Sequence, residues 1–188
     1  MKKTNYSAAL VGAAMAMAVA LGMVAPATAG EFGLTFRIGR DDIEIDGNRL
    51  TSGNTVNDRM VNLGLLASYR WEKGGYIEAG VGGSGGIDVF GIQDVSHRWI
   101  GGGWQFDLGD AWKLTPKAGL TWSNLTSSEE DFFDSEPVDE FSDTVPFFEI
   151  AVERRFWERL GVGLYYRHTA EDWGLTRDAG LSLSWTFH

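Results

Sequence analysis

The chain has no cysteine among its 188 residues, so no disulfide framework holds it and a small stapled secreted module is excluded. Basic charge is also short: 16 Lys and Arg stand against 26 Asp and Glu, a formal −10, which disfavours nucleic acid as a partner. Past residue 30 no apolar run is long enough to cross a membrane as a helix. A membrane form of this chain must therefore be a closed barrel, since only helices and closed barrels satisfy every backbone hydrogen bond in lipid.

What is present begins with a leader. Lys2 and Lys3 precede an apolar stretch from Ala8 to Val24, and Ala27-Thr28-Ala29 offers small residues before Gly30, the three parts of a secretory signal peptide. The expected division is 1–29 as signal peptide and 30–188 as one exported domain. Without the leader, 14 basic residues face 26 acidic ones, a formal −12.

The domain alternates apolar and polar residues at period two. In Asp178 to Phe187 the residues Ala179, Leu181, Leu183, Trp185 and Phe187 interleave with Asp178, Gly180, Ser182, Ser184 and Thr186. The same plan recurs around Phe32–Gly39, Val61–Arg70, Tyr76–Ser84, Trp99–Leu108, Lys113–Trp122, Phe147–Phe156 and Leu160–Arg167, giving about eight strands. Glu72–Gly75, Gly109–Asp110 and Trp157–Arg159 read as tight turns. Asp41–Arg59, the glycines near Gly85 and Gly86, Ser123–Thr144 and Glu171–Gly174 read as loops, so long and short connections alternate. Pro116 predicts irregular pairing, because proline cannot donate to a ladder. The acids from Glu129 to Asp143 lack an EF-hand spacing and read as a solvated, mobile segment.

Aromatics gather at strand ends. Tyr69, Trp71, Tyr76, Phe106, Trp112, Phe156, Trp157, Trp185 and Phe187 adjoin the tight turns as one girdle, and Trp99, Trp122, Phe148 and Tyr166 lie toward the loops. The polar face carries Arg37, Arg70, Glu78, Lys113, Lys117, Glu149, Glu153, Arg155 and Arg167 among glycines. A soluble barrel with a solvated outer face explains those charges but not the glycines between them. A narrow lumen explains both, because small residues leave room for long charged ones. The expected fold is an all-β, eight-stranded, antiparallel up-and-down transmembrane barrel with a filled polar interior, in which Arg37, Glu78, Lys117, Glu149, Glu153 and Arg167 form an interior charge network.

This layout resembles the small outer-membrane barrels of the OmpA and OmpX type over essentially the whole mature chain. The resemblance implies outer-membrane localisation with both termini periplasmic, contact with outer-membrane lipids and lipopolysaccharide, and recognition of the C-terminal strand by the assembly machinery; His188 after Phe187 departs from that terminal signal. The filled interior itself points to a structural or surface-interaction role rather than general diffusion, which needs more strands to leave an aqueous channel. No cofactor or metal is expected.

A second, local resemblance concerns Phe148 to His168, which is similar to the last hairpin of the outer-membrane lipid A deacylases. That likeness implies His168 as a base on the lipid-facing side, with a nucleophilic Ser two residues on, followed by Asn. Here those positions are Ala170 and Glu171, and Thr169 points to the opposite face from His168. His168 and Thr169 are thus the weak catalytic candidates of an alternative reading: a lipid A-modifying hydrolase or an inactive relative of one.

Overall fold

The computed structural model describes residues 30–45, 56–88, 91–128, 137–169 and 174–187. Eight strands form the wall: β1 (Gly30–Ile45), β2 (Val56–Trp71), β3 (Gly75–Asp88), β4 (Gly91–Trp104), β5 (Trp112–Ser128), β6 (Pro137–Arg155), β7 (Leu160–Thr169) and β8 (Gly174–Phe187). Each is antiparallel to its neighbour in sequence, and β1 pairs with β8 from Phe32↔Phe187 to Glu44↔Gly174, which closes the sheet. Closure removes the free edges that an open sheet would expose. Among the described residues no helix is long and apolar enough to cross a membrane.

The burial pattern is inverted. Among the described residues 18 buried side chains are polar or charged and 9 are hydrophobic, while 24 large hydrophobic residues are exposed. Phe36, Ile38, Leu63, Ile100, Leu120, Ile150, Leu164, Leu181 and Leu183 belong to that exposed belt. An apolar surface of this extent has no stable place in water and fits a hydrocarbon surround.

Short turns close one end. Gly74 adopts φ 90° and donates its N–H to the Trp71 carbonyl at 2.9 Å, and Gly109 adopts φ 91°, a left-handed geometry that glycine takes without penalty. The irregularity expected at Pro116 falls on its partner strand. Pro116 keeps its pairing with Ile150, but β4 breaks at Gln105, whose N–H turns to the Gly74 carbonyl at 2.8 Å. Pairing with β5 then resumes at Phe106↔Leu114 and Asp107↔Lys113. With no proline N–H to offer, that stretch of ladder has nothing to hold it.

The other end departs from expectation. β1 runs to Ile45 and β2 starts at Val56; β3 takes in Gly85 and Gly86; β5 reaches Ser128 and β6 starts at Pro137. Much of what reads as loop in Asp41–Arg59 and Ser123–Thr144 is therefore paired strand, including Asp139, Glu140 and Asp143. Backbone pairing needs no apolar face once the strand rises out of the hydrocarbon, so the ladder outlasts the alternation that announces it. Glu129 to Glu136 lies outside the described residues, as does the expected leader at 1–29.

Two aromatics also move. Trp99 and Tyr76 share the parity of the lumen, not of the girdle: Trp99 is 3 % exposed and donates its indole N–H to Glu78 at 2.9 Å, and the Tyr76 hydroxyl reaches the same carboxylate at 3.1 Å. The wall makes space for Trp99 with glycine, since a Cβ at Gly80 would lie 2.2 Å from its ring.

Candidate functional site

Five strands place five charged side chains at one level of the lumen: Arg37 on β1, Glu78 on β3, Lys117 on β5, Glu149 on β6 and Arg167 on β7, each 4 % exposed or less. Their period-two parity turns them inward, and the register of the closed sheet brings them level. Glu149 is the hub. Arg37 grips its carboxylate with both terminal nitrogens at 2.9 and 2.6 Å, the Lys117 ammonium sits at 2.6 Å, and Arg167 adds contacts at 2.9 and 2.7 Å. Glu78 takes Lys117 at 2.7 Å and lies 3.6 Å from Arg167 and 3.9 Å from Arg37.

Aromatic faces complete the layer. The Arg37 guanidinium stands 4.4 Å from the Tyr165 ring centre, and Arg167 lies between Trp99 and Phe147 at 4.4 and 4.3 Å. Ring faces attract these cations where water cannot. Three cations and two carboxylates leave the layer one positive charge in excess. Asp178 stands across the strand pair from Arg167 and accepts a hydrogen bond from the Tyr165 hydroxyl at 2.9 Å. Asp41, fully buried, accepts from the Asn62 amide at 3.0 Å and from the Ser84 hydroxyl. This carboxylate pair above the ion layer is not apparent from sequence, where Asp41 reads as the start of a loop.

Glu153 is absent from the five. It lies four residues along β6 from Glu149, about 13 Å at strand rise, and there accepts from the Ser184 hydroxyl at 2.5 Å and faces Arg155 at 3.6 Å. Parity assigns it to the lumen but cannot assign its level. Around it is a second cluster toward the short turns: Glu31 meets Arg70 at 2.5 Å and Arg155 at 2.9 Å, and Lys113 lies 3.7 Å from Asp107. A cavity of about 50 Å³ opens between these groups, lined by Glu31, Ser68, Tyr76 and Glu153 among others. Polar walls and that volume suit water.

His168 and Thr169 are on opposite sides of the wall. His168 is exposed on the outer surface, level with Phe148 and Arg177 on the flanking strands, while Thr169 points inward and is 5 % exposed. The arrangement does not bring the two together, and Ala170 is outside the described residues. Among the described residues no group of three or more His, Cys, Asp or Glu could hold a metal ion.

With the belt and the lumen in view, comparison with known proteins is decisive for the family. The model of the outer membrane protein β-barrel domain matches residues 7–187. The chain belongs to that family. Among curated proteins none matches it significantly. Several solved barrels share the fold. Ail, the attachment invasion locus protein of Yersinia pestis, superposes with a TM-score of 0.61 at 13 % identity, over 85 % of this chain and 100 % of Ail. OprG from Pseudomonas aeruginosa gives 0.56 at 11 % identity over 86 % of this chain and 97 % of that one, and the N-terminal barrel of OprF from the same organism gives 0.54 at 12 % over 83 % and 97 %. Ail is also known in complex with the heparin analogue sucrose octasulfate. At these identities the likeness is one of fold alone.

Proposed function

We propose that this outer-membrane barrel is a closed one whose role is structural or one of surface interaction, not general diffusion. The observation that carries the reading is the mid-lumen layer, in which Glu78 and Glu149 have no exposed side-chain surface and each meets Lys117 within 2.7 Å. A charged plug of this density leaves no aqueous path, and an eight-stranded barrel has little lumen to spare. What remains for interaction is the outside: the lipid belt and the end opposite the short turns.

Orientation follows from the same construction. Gly30 and Phe187 are at the end that carries the turns at Glu72–Gly74 and Phe156–Arg159, and barrels of this kind keep short turns in the periplasm. Both termini are then periplasmic, the leader at 1–29 exports the chain, the strand Asp178–Phe187 is what the assembly machinery recognises, and the opposite rim stands among lipopolysaccharide. Protease added to whole cells cuts within Ser123–Thr144 and spares Glu72–Gly75. Cleavage confined to the periplasmic side inverts the orientation.

The closing experiment is electrical. The purified barrel in a planar bilayer shows no stable conductance, and a steady open level with wild-type protein overturns the plugged reading. The weight of lipid A from cells expressing the chain separates this reading from the hydrolase. It stays unchanged here; loss of an acyl chain abolished by His168→Ala establishes the enzyme.

A further inference from the structure

The chain carries a formal −10, yet its lipid-facing surface has the opposite sign. Among the outward positions whose side chains are described, the arginines Arg40, Arg98, Arg154 and Arg177 stand against a single acid, Asp42. Arg154 belongs to the turn side, between the rings of Trp112 and Phe156 at 5.6 and 5.2 Å. The other three border the opposite edge of the apolar belt. Of these, Arg40 and Arg177 occupy adjacent strands, β1 and β8, next to His168 on β7.

Register fixes their spacing. His168, Arg177 and Asp42 form one row across β7, β8 and β1, and Arg40 lies one outward step below Asp42, level with Ala179. At about 4.8 Å between strands the row spans roughly 10 Å, within reach of one or two phosphate groups for side chains as long as arginine. Tyr166, exposed and one outward step below His168, marks the boundary between hydrocarbon and headgroups. The Arg40–Asp42 contact, 3.3 Å and about half exposed on both sides, is of the kind that yields readily to a stronger anion.

From this we infer that the β7–β8–β1 sector is a docking site for the phosphate groups of lipopolysaccharide. Arg40 and Arg177 supply the planar forks that match phosphate oxygens, His168 flanks them, and Tyr166 borders the sugar and acyl boundary. The site rests on the orientation proposed above, since only the loop-side rim meets the outer leaflet. In a molecule otherwise acidic, the one described sector where cations cluster on the outer face is where a polyanionic headgroup gains most.

The test uses the whole barrel extracted from outer membranes in mild detergent, with retained lipopolysaccharide counted by native mass spectrometry. The paired change Arg40→Gln with Arg177→Gln lowers retention at least five-fold, whereas Arg154→Gln on the turn side leaves it as in the wild type. Arg40→Lys with Arg177→Lys keeps charge without the fork and retains an intermediate amount. Heat-modifiable gel migration of each variant reads folding separately, and protease access in whole cells reads orientation, so a wrong orientation is told from a wrong site. Equal retention in the Gln pair and the wild type overturns the site. So does equal loss in Arg154→Gln, which makes the effect one of bulk charge. Vesicles with phosphatidylglycerol in place of lipopolysaccharide retain lipid without dependence on Arg40 and Arg177; the same dependence there overturns the assignment to lipopolysaccharide.

Discussion

Glu149 and Glu31 each meet more than one cation within 3 Å, and the two carboxylates nevertheless occupy different physical settings. Glu149 has no exposed side-chain surface and is enclosed by Arg37, Lys117, Arg167 and the rings above and below them, whereas Glu31, Arg70 and Arg155 keep 18–20 % of theirs. The dry layer holds its charges because none can leave without stranding another. In the lower cluster, next to a cavity with room for water, solvent stands ready to replace whichever partner is lost. Equal hydrogen-bond lengths thus conceal unequal energies: burial, not distance, decides what each ion pair is worth.

Removing the hub of the dry layer is the sharpest way to break that contrast. Glu149→Gln leaves Arg37, Lys117 and Arg167 around Glu78 alone and lowers stability by about 3–5 kcal/mol, read from urea unfolding of the barrel in detergent. A loss below about 1 kcal/mol means that water already fills the layer. Gly80→Ala comes next, because the new methyl must displace the Trp99 ring and through it the bond to Glu78; the expected cost is about 1–3 kcal/mol, with loss of the near-ultraviolet signal of a fixed indole.

Glu31→Gln probes the other region and costs about 1 kcal/mol or less in the same assay. An effect as large as that of Glu149→Gln erases the distinction between the two levels. Smallest of all is the response to salt. Between 0.1 and 1 M the screening length falls from about 10 to about 3 Å, which reduces the stability difference between wild type and Glu31→Gln and leaves that of Glu149→Gln unchanged.

Period two reveals which residues share a face but not which share a level, and the gap shows residue by residue. Arg37, Glu78, Lys117, Glu149 and Arg167 are legible as interior charges, and they do meet. Glu153 has the same parity and meets Arg155 and Ser184 instead. Trp99 has interior parity too, although its position toward a strand end suggests the girdle; the bond to Glu78 and the glycine at position 80 become visible only when β3 and β4 are laid side by side. Asp41 and Asp178 come from the two closing strands, whose pairing no local pattern announces.

By itself the sequence determined the alternating part of each strand, the short turns, the lipid-facing belt and the charged lining, because each depends on alternation or on turn residues within a few positions of one another. Only the tertiary structure decided the height of each charge in the lumen, the split between a fully buried layer and a partly exposed one, and the row of His168, Arg177 and Asp42 outside. Those follow from the stagger at which β1 and β8 join. Shifting that register by two residues would keep every side chain on its face and change nearly every cross-lumen partner.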